Sequence, residues 1–174
     1  VNEGNADWVL GISTKGNRIA RQWEGRSKFT AYIININTAE RTAIKNNSYG
    51  NYVASPMGKY VYWYDPSLKH YFTYNVANGN INNVTQKIKE PLYDTENDVP
   101  DFPGAAGTIG WVSDDSYLLV NDEYDIWQVS PNGTELPKNI SNGFGRKNKI
   151  TFDYVRLDAE KRFFEPGENI LLNS

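Results

Sequence analysis

The 174-residue chain contains no cysteine, which excludes disulfides and thiolate metal sites without fixing a compartment. Histidine occurs once, as His70. A general base needs a nucleophile or a substrate proton in reach. Tyr71 and Phe72 beside His70 point instead to a packed or surface position on a strand. No apolar run approaches the roughly 20 residues needed to span a bilayer. There is no basic surplus: 18 Lys and Arg stand against 21 Asp and Glu, for a net charge of −3 and a pI near 5.2. Nucleic acid and anionic membrane surfaces are therefore poor partners. Ala-rich and Leu-rich helical stretches are scarce. The first residues, VNEGNADWVLG, have neither a basic region nor an apolar core of the kind a leader carries. With the ragged end ENILLNS, this start leads to the expectation of a piece cut from a longer protein.

What is present favours sheet. Aromatics make up 14% of the chain, with 12 Tyr and 5 Trp, and such residues fit a pleated surface. The pattern is plainest in 110–133, GWVSDDSYLLVNDEYDIWQVSPNG. Two apolar runs, 117–120 and 126–129, flank the acidic connector 121–125. Asp-Asp precedes the pair and Asn132-Gly133 follows it. Short β-branched and aromatic runs bounded by Asp, Asn, Pro and Gly read as strands joined by tight turns. Asn132-Gly133 is expected to form a type I′ hairpin turn.

The same order recurs along the chain. Strands are expected over 6–12, 17–23, 29–37 and 41–44, with a loop at 45–50. They follow again over 51–55, 59–64, 70–76 and 80–85. A third set falls at 109–112, 116–121, 125–129 and 134–140. After a turn at 143–146, residues 149–157 begin another cycle, with 162–164 and 169–172 as continuations. The intervening 86–108, QKIKEPLYDTENDVPDFPGAAGT, reads as a long irregular insertion, and such loops are usually functional or mobile. The turns Ile36-Asn37-Thr38-Ala39-Glu40, Val76-Ala77-Asn78-Gly79-Asn80 and Val129-Ser130-Pro131-Asn132-Gly133 recur at spacings of 40 and 53 residues. Four short strands per cycle of about 40–50 residues is the pattern of a β-propeller blade; a single β-sandwich with chance turn similarity is the alternative. The expected fold is all-β, with four-stranded antiparallel blades at approximately 6–45, 50–85 and 109–141, the start of another at 148–174, and the insertion at 86–108. A closed propeller generally has roughly four to eight blades, so 1–174 is expected to be one domain segment, an incomplete arc of about three to four blades.

Several spaced motifs, in order, resemble the N-terminal propeller of prolyl-oligopeptidase-family, dipeptidyl-peptidase-like serine peptidases, in particular the Bacteroidetes branch. They are Gly110-Trp111-x-x-Asp114-Asp115, then Asp122-x-Tyr124-Asp125-Ile126-Trp127-Gln128, then Asn139-Ile140-Ser141-Asn142-Gly143 with Gly145-Arg146. Tyr93-Asp94-x-Glu96-Asn97-Asp98-x-Pro100 and Trp8-Val9-Leu10-Gly11 also resemble that branch. The likeness is best over about 88–158. It implies a propeller seated over an α/β-hydrolase domain with a Ser-Asp-His triad, admitting peptides and excluding folded proteins. The departures are large. The chain has no Gly-x-Ser-x-Gly elbow and no double-glutamate motif for a substrate's N-terminal amine. No catalytic residue, cofactor or metal ligand carries over.

The expectation for function is thus a non-catalytic scaffold and substrate gate. Its partners would be the hydrolase domain of the same parent chain and the parent's peptide substrate, with a periplasmic or secreted address by analogy. The alternative is a stand-alone TolB-like binding propeller for a protein or glycan; a lectin-like β-sandwich is a weaker third. Trp111, Asp122, Tyr124, Asp125, Trp127 and Arg146 are the signature positions. Asp122 and Asp125 are expected to hold their turn by accepting backbone N–H groups, with Arg146 pairing to one of these acids. Asp94, Glu96 and Asp98 mark a loop that contacts a partner domain or lines an entrance. With Asp101 they lack the spacing of a helix–loop–helix Ca²⁺ site. The Tyr60, Tyr62, Trp63, Tyr64 stripe is expected to fill the space between neighbouring sheets rather than to form a ligand platform. Glycosylation patterns begin at Asn46, Asn83, Asn132 and Asn139, matches that an Asn-rich chain produces by chance.

Overall fold

A computed structural model describes residues 1–24 and 26–174. Its architecture is all-β, in four antiparallel sheets. The first contains β1 (Trp8–Ser13), β2 (Phe29–Asn35) and β3 (Arg41–Ser48). The second contains β4 (Val53–Ala54), β5 (Tyr60–Asp65), β6 (His70–Asn75) and β7 (Ile81–Asn83). The third contains β8 (Thr108–Trp111), β9 (Leu118–Asn121), β10 (Ile126–Val129) and β11 (Lys138–Asn139). The last is a two-stranded pair, β12 (Asp153–Tyr154) with β13 (Leu172–Asn173). Within the first three sheets every strand pairs with its chain neighbour, and none of the sheets closes on itself. No helix among the described residues is long and apolar enough to cross a membrane.

The sheets pack face to face in chain order, because the middle ones are apolar on both faces. In β5, Val61 and Trp63 point toward the first sheet, where they join Trp8, Ala31 and Ile44, together with Tyr52 of the connection between β3 and β4. Tyr60, Tyr62 and Tyr64 point the other way, against Trp111, Leu118 and Val120 of the third sheet. β9 repeats the arrangement: Leu118 and Val120 face the second sheet, while Leu119 faces the C-terminal segment with Val112, Ile126 and Phe164. A strand covered on both faces needs a continuous apolar run rather than strict alternation, which is what YVYWY and YLLV supply. Ring stacking adds shape. Trp63 lies 4.6 Å from Tyr52 and 5.6 Å from Phe72, and Trp111 lies 6.0 Å from Tyr60.

Three hairpin turns share one construction. The side-chain oxygens of Asn35, Asp65 and Asn75 accept the N–H groups two and three residues ahead. The residue four ahead adopts a left-handed conformation: Ala39 at φ 57°, Lys69 at 58° and Gly79 at 75°. Its N–H returns to the carbonyl of the first residue. The carboxylate or amide thus replaces backbone acceptors that the turn leaves empty.

Several expectations require correction. Residues 17–23 form no strand: 16–20 are turn and α1 (Arg21–Glu24) follows, with Ile19 and Trp23 largely exposed. Having no sheet partner, this stretch closes one helical turn through N–H bonds from Trp23 and Glu24 to Ala20, and the first sheet keeps three strands. Residues 45–48, expected as loop, continue β3, with two register shifts against β2 and Asn47 at φ 49°. Asn132-Gly133 is not a type I′ turn. Gly133 alone is left-handed, and its N–H bonds the Ser130 carbonyl across Pro131-Asn132; Pro131 fixes a negative φ inside the turn. The 143–146 turn opens the short helix α2 (Phe144–Asn148). Of residues 162–164, Phe164 alone bridges the third sheet, in parallel with Val112. The insertion is irregular but anchored. Ile88 and Leu92 are buried, Tyr93 bridges Ala105, and the Tyr71 hydroxyl donates to the Gly107 carbonyl.

Between the first two sheets, Lys45 Nζ lies 2.8 Å from the buried Asp65 carboxylate. Burial alone would raise the Asp65 pKa. Hydrogen bonds from Lys45 and Ser67, with the Lys45 charge, outweigh it and hold the carboxyl below its ordinary value. A depressed folded-state pKa contributes stability above the unfolded value, and that contribution is lost as pH falls through the folded one. Resistance to urea is therefore expected to drop below about pH 4. The Lys45→Met variant should show a shallower drop, in urea midpoints compared at pH 3 and pH 6. Equal slopes would show that this pair does not govern the acid limb.

Candidate functional site

Five of the six signature residues converge on one network. The loop between β9 and β10 turns back at once, with the Asp122 N–H bonded to the Asp125 carbonyl at 2.9 Å. Asp122 is 3% exposed, and every bond to its carboxylate comes from an N–H. Its Oδ1 accepts the N–H groups of Tyr124 (2.7 Å) and Asp125 (2.9 Å) and Arg146 Nη2 (3.1 Å). Its Oδ2 accepts the Trp127 indole N–H at 2.8 Å. Asp125 is equally buried; its Oδ1 accepts the Ser141 hydroxyl (2.8 Å) and the Gly145 N–H (3.0 Å). Arg146 reaches in from α2, with its guanidinium 5.1 Å from the Tyr124 ring centre. Glu123 beside Tyr124 pushes the phenol pKa up. Asp122 accepts on both carboxylate oxygens, and Asp125 accepts twice on Oδ1. The network ties the β9–β10 turn to α2 and to Ser141, just beyond β11.

A cleft of about 340 Å³ lies beside this network. Asp94, Glu96, Asp122 and Glu123 line it, with Asp153 and Phe152 of the C-terminal segment. The structure thus brings two of the three loop acids next to the signature turn. Asp98 lies outside this lining and is exposed. Asp94 bonds the Glu96 N–H, and Asp101 is taken by Arg26 at 2.6 Å, which holds its carboxyl below the ordinary value. Among the described residues, no three carboxylates or imidazoles are placed to hold a metal ion.

The sixth signature residue, Trp111, sits apart. It packs against Tyr60 and Tyr62 between the second and third sheets, 3% exposed. The stripe at 60–64 is likewise interior: Trp63 is 1% exposed, and burial raises the phenol pKa of Tyr62 and, to about 12, that of Tyr64. His70 is half-buried at the start of β6, its Nδ1 3.2 Å from the Thr85 hydroxyl, and burial lowers its pKa. The Thr85 oxygen in turn accepts the Tyr71 N–H, so the pair closes the β6–β7 edge.

Two features have roles that the sequence motifs do not state. One is Asp115, 2% exposed, which reaches into the second sheet. Its carboxylate accepts the Ser55 hydroxyl at 2.5 Å and the N–H groups of Met57 and Lys59 at 3.0 and 3.1 Å. The other is a cationic pocket near β4 and β8, bordered by Arg156, Lys161 and Arg162. Charge patterning in 156–162, RLDAEKR, was the available sign of it.

Comparison with protein-family models, with curated proteins and with solved structures finds no match for this chain.

Proposed function

We propose that this chain is a β-propeller segment of a prolyl-oligopeptidase-like serine peptidase, a non-catalytic scaffold and substrate gate for an α/β-hydrolase domain. Each sheet serves as a blade in an incomplete arc of three to four. The parent would be an exopeptidase or oligopeptidase acting on peptides, periplasmic or secreted. The observation that carries the reading is the Asp122–Trp127–Arg146 network. Five of the residues that carry the family resemblance meet in one network around two buried carboxylates, Asp122 and Asp125, which joins the third sheet to the helix that follows it. Meander sheets stacked in chain order support it further. The acidic cleft beside Asp94 and Glu96 is the surface where the hydrolase domain or an incoming peptide would approach.

Purified chain is expected to show no turnover of chromogenic dipeptide substrates. Turnover that survives purification and is abolished by a serine-directed inhibitor would overturn the reading. The gene beyond the Ser174 codon supplies the second arm. A Gly-x-Ser-x-Gly elbow followed by Asp and His supports the peptidase; a stop codon there favours the stand-alone TolB-like binding propeller.

A further inference from the structure

Between the start of the second sheet, β8 and residues 154–164 lies a pocket of about 400 Å³. Its charged lining residues are Arg156, Lys161 and Arg162, with no Asp or Glu among them, in a chain whose net charge is −3. Its walls include Tyr62, Trp111 and Tyr154. Trp111 is 3% exposed, and apart from a weak contact with the Tyr62 hydroxyl its indole Nε1–H finds no well-formed hydrogen bond. A buried donor left without a well-formed bond costs free energy, and here it belongs to a wall of a cationic pocket.

The three cations are not equivalent. Lys161 pairs with Glu168, and Arg162 pairs with Glu3 at 3.0 Å while also donating to the Pro56 carbonyl. These are partly exposed ion pairs, the kind that contribute little and exchange readily. Arg156 has no carboxylate partner among the described residues. Its Nε and Nη2 donate to the carbonyls of Asp158, Ala159 and Lys161 at 3.0, 2.6 and 2.8 Å. Those bonds lock the guanidinium in place without neutralising it. Of its five N–H donors, the two on Nη1 remain available. A fixed, uncompensated guanidinium is the preferred partner of a carboxylate.

We propose that this pocket binds a carboxylate carried next to an aromatic ring. Arg156 Nη1 is the principal donor, Arg162 and Lys161 are flanking charges, and Tyr62, Trp111 and Tyr154 form the wall for the ring. Two sources share this chemistry: the C-terminal aromatic residue of a peptide and a free aromatic acid. The site stands on the pocket alone and does not depend on the peptidase reading; its failure would leave that reading untouched.

The full chain, with ¹⁵N-labelled tryptophan indoles, is titrated with N-acetyl-alanyl-phenylalanine, its C-terminal amide, phenylacetate and inorganic phosphate. The Trp111→Phe variant assigns the Trp111 signal. The acid is expected to shift that signal saturably, and the amide to bind roughly tenfold more weakly, the worth of one charge-assisted bond. Arg156→Gln should weaken the acid by a similar factor. Lys161→Gln, at a partly exposed side chain, should weaken it about threefold, and it serves as the readout if Arg156→Gln perturbs the 158–161 loop. Peptide acid binding more tightly than phenylacetate assigns a peptide terminus; the reverse assigns a free acid. Acid and amide binding alike, no saturable shift up to about 10 mM, or phosphate binding as tightly as either aromatic acid would each overturn the proposal.

Discussion

Replacing Asp115 by Ala is expected to cost about 3 kcal/mol of folding stability. Its carboxylate is the acceptor for the Ser55 hydroxyl and for the N–H groups of Met57 and Lys59, all in the turn that opens β5. The substitution leaves those donors facing a cavity at the junction of two sheets. It also places Ala at φ 52°, where Asp is better tolerated. With a urea dependence of about 2 kcal/mol per molar for a domain of this size, the midpoint should fall by about 1.5 M. Asp115→Asn keeps one acceptor and the tolerance for left-handed backbone, but turns an amide N–H₂ toward a donor; about half the loss is expected. The control Lys59→Met removes an exposed pair with Asp114 and should move the midpoint by less than about 0.5 M. A midpoint unchanged in Asp115→Ala would show that the two sheets are held by apolar packing alone.

A second large effect is expected at Gly145. A Cβ there would collide with the Tyr124 carbonyl oxygen and lie 2.8 Å from that of Ile150. Both are backbone atoms, so no side chain can swing aside. Gly145 also donates its N–H to Asp125, so displacing α2 breaks that bond and draws Arg146 away from Asp122. Gly145→Ala should therefore cost about 4 kcal/mol or more and broaden the indole signal of Trp127, whose N–H depends on Asp122. Gly143→Ala is the comparison. Nothing lies within 4 Å of a Cβ there, and the cost should be the positive-φ strain of about 1 kcal/mol. Equal effects at the two positions would show that backbone conformation, and not the Tyr124 contact, explains the loss.

The parts of this architecture that were legible in the sequence are those decided locally. Runs such as YVYWY and YLLV have no helical reading, and the Asp or Asn that ends each hairpin bonds backbone only two and three residues away. Asp122 belongs to the same class, since its contacts with Tyr124 and Asp125 lie within one turn. Asn17–Trp23 was misread because Ile19 and Trp23 carry strand propensity, but propensity decides nothing without a neighbouring strand to pair with. Asn132-Gly133 was misread because the dipeptide was weighed without Pro131, which fixes the φ before it. Asp115 stands in the Asp114-Asp115 motif, but its role was not legible because its partners are 56 to 60 residues away in the chain. The Arg156 pocket escaped notice for the same reason. Its walls come from the second sheet, the third sheet and the C-terminal segment, and no single window of sequence contains them.

The meander connectivity has a kinetic corollary. Apart from β1–β2, which are joined across residues 14–28, the strand pairings in the first three sheets close short loops, so little chain entropy is lost before native contacts begin to compensate. Hairpins pinned by Asn35, Asp65 and Asn75 can form on the microsecond scale of isolated turns. Docking of one finished sheet on the next, through Trp63 and Trp111, is then expected to be the later, rate-setting event. The barrier to assembly then lies in the aromatic seams rather than in the strands. Substitutions in those seams should slow refolding, while substitutions at the hairpin tips mainly change how often a nucleus appears.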